Sequence, residues 1–211
     1  MSPDQQKGCP LKALLVVDVQ NDFCPGGALG IKQADKIIPA INRYVKIFSA
    51  RKIPVLATRD WHPKKTVHFK KYGGVWPEHC VKNTKGARFH PKLRLPKNAI
   101  LLYKGIDPEK DSYSAFQAQD KKGVILPALI KKMRIGELYI AGLATDYCVR
   151  FTAKDAIRKR LKVNILIDAV KGVDLKAGDS VKAVREIKGL GAKSLTLTKL
   201  NRQLESFRDS G

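Results

Sequence analysis

Leu138-Tyr139-Ile140-Ala141-Gly142-Leu143-Ala144-Thr145-Asp146-Tyr147-Cys148 is the stretch that decides the fold. Leu138 to Gly142 is a short apolar run of strand type, and Thr145 or Asp146 has the chemistry of a helix cap. A strand running directly into a helix is the repeating unit of a parallel sheet. Moving outward, similar runs occur at Leu14 to Val19, Pro54 to Thr58, Ile100 to Tyr103, Val163 to Ile167 and Ser194 to Thr198. Helical patterns lie between them, at Ala34 to Ala50, Ala115 to Lys132, Asp146 to Arg160 and Asp179 to Lys188, the last stopped by Gly189 and Gly191. The alternation predicts an α/β protein with a doubly wound, mostly parallel six-stranded sheet and helices on both faces. Trp61 to Lys97 fits neither period and reads as an aperiodic excursion, a length that in a compact domain usually serves function.

The chain of 211 residues, 44% hydrophobic and 28% charged, is suited to one domain spanning 1–211. No apolar run approaches the roughly 20 residues needed to cross a bilayer. Met1 to Lys7 is polar and lacks a signal core, so a soluble intracellular protein is expected, with no membrane partner. The charge is lopsided, 41 Lys+Arg against 19 Asp+Glu, or +22. Such a balance raises nucleic acid as a partner, but the basic residues are scattered in pairs such as Lys64-Lys65 and Lys121-Lys122, which favours a merely basic surface. The four cysteines, Cys9, Cys24, Cys80 and Cys148, form no C-x-x-C pair, which points away from a disulfide scaffold or a four-cysteine zinc site.

In open α/β sheets ligands bind beyond the carboxyl ends of the strands. Four such ends carry reactive side chains: Asp18, Asp60, Lys104 and Cys148. Cys148 falls in the first turn of its helix, where backbone N–H groups near Ala144 and Cys148 face a developing oxyanion. An ordinary thiol is only about 3% ionised at pH 7, and a helix terminus alone does not lower its pKa enough. Two routes therefore stand open: thiolate formation supported by Lys104, or direct deprotonation by Asp18 acting as general base. The second constellation is Asp60, His62, His68 and His79, one carboxylate and three imidazoles within 20 residues. This donor set suits one divalent metal ion, Zn²⁺ in the first place, with Mn²⁺ or Fe²⁺ accommodated by the same ligands. From spacing alone Phe23 and Trp76 read as core residues, and His90 as a loop histidine.

Together the motifs Val17-Asp18-Val19-Gln20-Asn21-Asp22-Phe23, Asp60-Trp61-His62, Trp76-Pro77-Glu78-His79-Cys80, Lys104-Gly105, Asp111-Ser112-Tyr113-Ser114-Ala115-Phe116 and Gly142 to Cys148 resemble nicotinamidases of the isochorismatase-like cysteine hydrolase superfamily. The resemblance runs from about Leu14 to Asp168. It implies hydrolysis of nicotinamide to nicotinate and ammonia, a step of NAD salvage. It further implies a catalytic triad of Asp18, Lys104 and Cys148, an oxyanion hole from the Ala144 and Cys148 N–H groups, and metal ligands Asp60, His62, His68 and His79. Phe23 and Trp76 become ring-stacking walls, and a cis peptide is implied between Leu143 and Ala144. Two rivals follow from the same residues. A cysteine amidohydrolase for carbamoyl or ureido substrates would keep the triad without needing the metal ligands, and a nucleic-acid-binding protein with a vestigial site would use the +22 charge.

Overall fold

The computed structural model describes residues 11–206, with side chains to 202; Cys9 lies outside them. Six strands, β1 (Leu11–Val17), β2 (Val55–Asp60), β3 (Ile100–Lys104), β4 (Ile135–Leu143), β5 (Lys162–Lys171) and β6 (Lys193–Leu195), form one sheet in the order β3-β2-β1-β4-β5-β6. Every strand pair is parallel. Ala13 to Val17 are fully buried, as expected of a central strand covered on both faces. Successive side chains of β1 alternate between the layers: Leu14 and Val16 join one core, Ala13, Leu15 and Val17 the other. Each such aliphatic side chain contributes about 1.5–3 kcal/mol when fully buried.

One layer contains helix α1 (Ile38–Ala50), whose buried face repeats at Ile38, Ile41, Tyr44, Val45 and Phe48. The other contains α2 (Leu126–Lys132), α3 (Arg150–Arg158) and α4 (Asp179–Gly189), through Leu126, Ile130, Ala153, Ala156 and Ile187. Helix α5 (Leu197–Ser206) returns to the first layer, where Leu200 is buried. The order reverses at β1 and β4, the neighbouring strands from which the chain winds in opposite directions. Their carboxyl ends thus flank the crevice expected to hold a ligand.

Three sequence expectations are corrected. The first strand ends at Val17, not Val19, because the chain turns out of the sheet at Asp18 with a φ of 51°. The helix expected over Ala115 to Lys132 is broken: a 3-10 turn at Ala115–Gln117 is followed by bridges from Gln119 to Tyr103 and Ile125 before α2 begins. The Asp120 carboxylate accepts the N–H groups of Lys122 and Val124, Gly123 takes a φ of 80°, and Pro127 then opens the short helix. The expected strand Ser194 to Thr198 stops at Leu195, where Thr196 turns the chain into α5 and accepts the Lys199 N–H at 3.4 Å.

Candidate active site

The first group of site residues is built by strand register. Asp60 pairs with Lys104 across β2 and β3, so a carboxylate and an ammonium stand side by side at adjacent strand ends. Lys104 is fully buried, and its Nζ lies 3.0 Å from Asp18 Oδ2, 3.2 Å from the Ser112 carbonyl and 3.4 Å from Cys148 Sγ, besides donating to Asp60 Oδ1. Three protons thus serve three acceptors, Asp60, Ser112 and Cys148, while Asp18 Oδ2 is held as an ion-pair contact and has no hydrogen-bond partner among the described residues. The pKa of Lys104 stays well above the ordinary value although burial opposes this, because Asp18 and Asp60 hold the charge. Asp18 is fixed from the other side by Thr58, whose hydroxyl donates to Oδ1 at 2.8 Å.

Burial and charge act differently on the three groups. Burial pushes the Cys148 thiol well above its usual pKa, with Lys104 opposing the shift and Asp18 adding to it. Burial thus favours the neutral form of this thiol. Asp18 is itself raised to about 6, chiefly by burial and further by the Asp60 charge, with Lys104 and Thr58 acting the other way. A carboxylate raised in this way has a basicity in the range that general-base chemistry uses. Asp60 is held far below the carboxylate range: burial would raise it, but Lys104 and His62 outweigh that cost. Of two buried acids beside one lysine, one is fixed as an anion and the other can exchange a proton.

Cys148 lies in a π-helical turn, Thr145–Val149, that leads into α3. Asp146 anchors this turn by accepting the N–H groups of Val173 and Asp174 at 2.9 and 2.8 Å. Gly142, with a φ of 111°, permits the close passage of β4 beside β1; a Cβ there would come within 2.0 Å of the Val17 carbonyl. The Leu143–Ala144 peptide is cis.

The aperiodic excursion supplies the second group. It contains one 3-10 turn, Lys70–Tyr72, and is held by bridges His62 to Val81, Phe69 to Trp76 and Gln20 to Phe89. These draw His62, His68 and His79 together, all buried, with potential ligand atoms within 4.8 Å of one another. Each imidazole uses its Nδ1 outward: His62 donates to the Gly105 carbonyl at 3.0 Å, His79 to the Pro77 carbonyl at 2.7 Å, and His68 to the Asp111 carboxylate. That arrangement leaves the Nε2 atoms for a common ligand, and His62 Nε2 is a buried polar atom with no hydrogen-bond partner among the described residues. Burial lowers the pKa of His68, and that of His79 to about 4, so these rings are neutral donors. Asp60 Oδ2 stands 3.8 Å from His62 Nε2, on the edge of the cluster. The residues fit a divalent metal ion.

Between the two groups is a pocket, enclosing about 420 Å³ with its solvent-open mouth included, lined in part by Phe23, Asp60, His68, Trp76, Ala144 and Cys148. Phe23 and Trp76, which spacing alone assigns to the core, both face this cavity, and the Trp76 indole is fixed by donating to the Tyr113 hydroxyl at 2.9 Å. His90 is outside it.

Sequence reasoning missed the supports. Gln20 is fully buried and clamps Asp60 by donating to its carbonyl at 2.8 Å and accepting its N–H at 2.7 Å. Asp22 accepts the Cys80 N–H at 2.6 Å and ties the Phe23 loop to the segment after His79. Gly105 must lack a side chain because a Cβ would meet the His62 ring at 2.4 Å. Polar residues beside a motif residue were the available signal, but only the fold reveals their partners.

The strand order, with a thiol, a carboxylate and an ammonium gathered at its reversal, defines an α/β class with a cluster of reactive side chains at the strand ends. Residues 12–199 match the isochorismatase domain, and the chain belongs to that family. The nicotinamidase of Escherichia coli (strain K12) is 39% identical over 204 residues, covering 89% of this chain and 96% of its own. The nicotinamidase/pyrazinamidase of Mycobacterium tuberculosis is 38% identical over 181 residues, covering 84% and 95%. A solved structure of the pyrazinamidase of Pyrococcus horikoshii in complex with zinc is 42% identical, with a TM-score of 0.82 over 89% of this chain and 100% of that one. Among the described residues no helix is long and apolar enough to cross a membrane.

Proposed function

We propose that the protein is a nicotinamide amidohydrolase, converting nicotinamide and water to nicotinate and ammonia as a step of NAD salvage. The observation that carries this reading is the junction, in one cavity, of the Asp18, Lys104 and Cys148 group with an imidazole cluster. Among the described residues all six strands share one sheet, which supports reading 1–211 as a single domain. A related enzyme for carbamoyl or ureido substrates would have no use for the histidines.

Cys148 attacks the carboxamide carbon while Asp18 takes the thiol proton. The oxyanion is received by the backbone N–H groups of Ala144 and Cys148, both at the cavity wall. Asp18 passes its proton to the amide nitrogen, ammonia departs, and a Cys148 thioester remains. Asp18 then removes a proton from water, which attacks the thioester carbon; collapse releases nicotinate and returns the proton to Cys148. Lys104 holds Asp18 and offsets the charge that forms on sulfur. Phe23 and Trp76 enclose the pyridine ring. Asp60, His62, His68 and His79 would hold the metal, Zn²⁺ by the nature of the donors, and when bound it supplies a Lewis-acid contact for the ring nitrogen.

Asp18→Asn keeps shape but removes the proton acceptor, and kcat should fall about 100-fold or more with bound metal unchanged. In the unsubstituted protein kcat/KM should fall as pH drops through about 6, where Asp18 takes up a proton and ceases to be a base. A pH profile flat from 7 to 5 would contradict that role.

Ring recognition is tested with benzamide, which lacks the pyridine nitrogen and should be hydrolysed about 100-fold less efficiently or worse. Prior removal of metal by a chelator should weaken nicotinamide binding while Cys148 still reacts with a small alkylating agent. Equal kcat/KM for both amides would overturn the metal's part in the reading. Loss of alkylation on metal removal would give the metal a role in supporting the thiol.

A further inference from the structure

The three imidazoles are not held alike. His62 and His79 lean on backbone carbonyls of Gly105 and Pro77, which come with the fold and are independent of any side chain. His68 leans on a carboxylate, that of Asp111, whose side chain is half exposed (51%) against 5% for His68. Nothing in the proposed reaction uses this carboxylate, yet its backbone is fixed on both sides. Gln117 Nε2 donates to the Asp111 carbonyl at 3.3 Å, within a capping box formed with Ser114, and the next carbonyl, Ser112, accepts from Lys104. The Val67 N–H donates to the Pro108 carbonyl at 2.9 Å, so the loop bearing His68 is laced to the loop bearing Asp111.

We infer that Asp111 is a positioning residue for the metal seat, fixing the tautomer and ring orientation of His68 so that its Nε2 is presented to the ion. This rests on the metal reading above. A carboxylate behind an imidazole holds the proton on Nδ1, leaves Nε2 as the donor and increases its basicity; loss of such a partner typically weakens metal binding about 10- to 100-fold. Because the Asp111 side chain stands at the surface and outside the cavity lining, its removal leaves no buried charge and no cavity in the core.

The test is Zn²⁺ affinity of the full-length protein, measured by competition with a chromogenic chelator for the unsubstituted chain, Asp111→Ala, Asp111→Asn and His62→Ala. Asp111→Ala should bind Zn²⁺ about 10- to 100-fold more weakly, and Asp111→Asn, which keeps an acceptor of the same shape without the charge, should fall between. Thermal midpoints of the zinc-free proteins should fall by no more than the loss of one hydrogen bond explains, with the fall in Zn²⁺ affinity the larger effect, which a merely structural role for Asp111 would not produce. Equal Zn²⁺ affinity of Asp111→Ala and the unsubstituted protein, with His62→Ala impaired, would overturn the assignment alone. Affinity indifferent to His62→Ala as well would overturn the metal reading beneath it.

Discussion

Cys148→Ala should abolish ammonia release from nicotinamide, by about 10⁴-fold or more, as when the nucleophile is removed from a covalent hydrolase. Its thiol faces the cavity, 3.4 Å from Lys104 Nζ and within reach of the Asp18 carboxylate. Cys24 and Cys80 are also buried free thiols, and burial pushes both upward in pKa, Cys24 to about 11. A raised pKa is thus shared by all three, and what sets Cys148 apart is its place on the cavity wall, with Asp18 and Lys104 beside it. Cys24→Ala and Cys80→Ala should leave turnover measurable. The comparison is made on initial rates of ammonia release, and near-normal turnover by Cys148→Ala would end the covalent mechanism.

Lys104→Met should be almost as damaging, for an electrostatic reason. Without the ammonium, Asp18 and Asp60 face each other as buried carboxylates with oxygen atoms within 4.8 Å. One must take up a proton, and Asp18, already raised to about 6, is the one that yields. The general base is then lost at neutral pH. A fall in kcat of about 10³-fold is expected, within the usual range for general acid–base groups, with a loss of stability of about 3–5 kcal/mol from breaking a buried pair. Rates and denaturant midpoints measure the two effects separately; a stable variant with unaltered kcat would remove Lys104 from the account.

What could be read from the sequence was what depends on one segment at a time. The runs ending near Asp18, Asp60 and Lys104 are apolar because their strands are buried, so the strand ends announce themselves. Likewise the passage from Leu138 to Cys148 carries both a strand and a helix start in eleven residues. What depends on two distant segments was not legible. That Asp60 lies opposite Lys104 follows from β2 and β3 being neighbours in register, and that one lysine neutralises two carboxylates follows from the order of three strands. The partners Gln20, Gly105 and Asp111 became visible only once the excursion after β2 was folded back over the sheet. The errors at Ala115 to Lys132 and Ser194 to Thr198 are of another kind. Gly123 and Pro127 stood in the first segment as breakers, and Leu197, Leu200 and Leu204 marked the second as helical, so local signals were present but were outweighed by the longer pattern.

The central claim, that this cavity hydrolyses a pyridine carboxamide through Cys148, is tested most directly by incubating the purified protein with nicotinamide and quantifying ammonia and nicotinate together. The account predicts both products in equal amounts, formed catalytically by the unsubstituted protein and not by Cys148→Ala. Absence of nicotinate from the unsubstituted, metal-supplied protein, or its continued formation by Cys148→Ala, would contradict it.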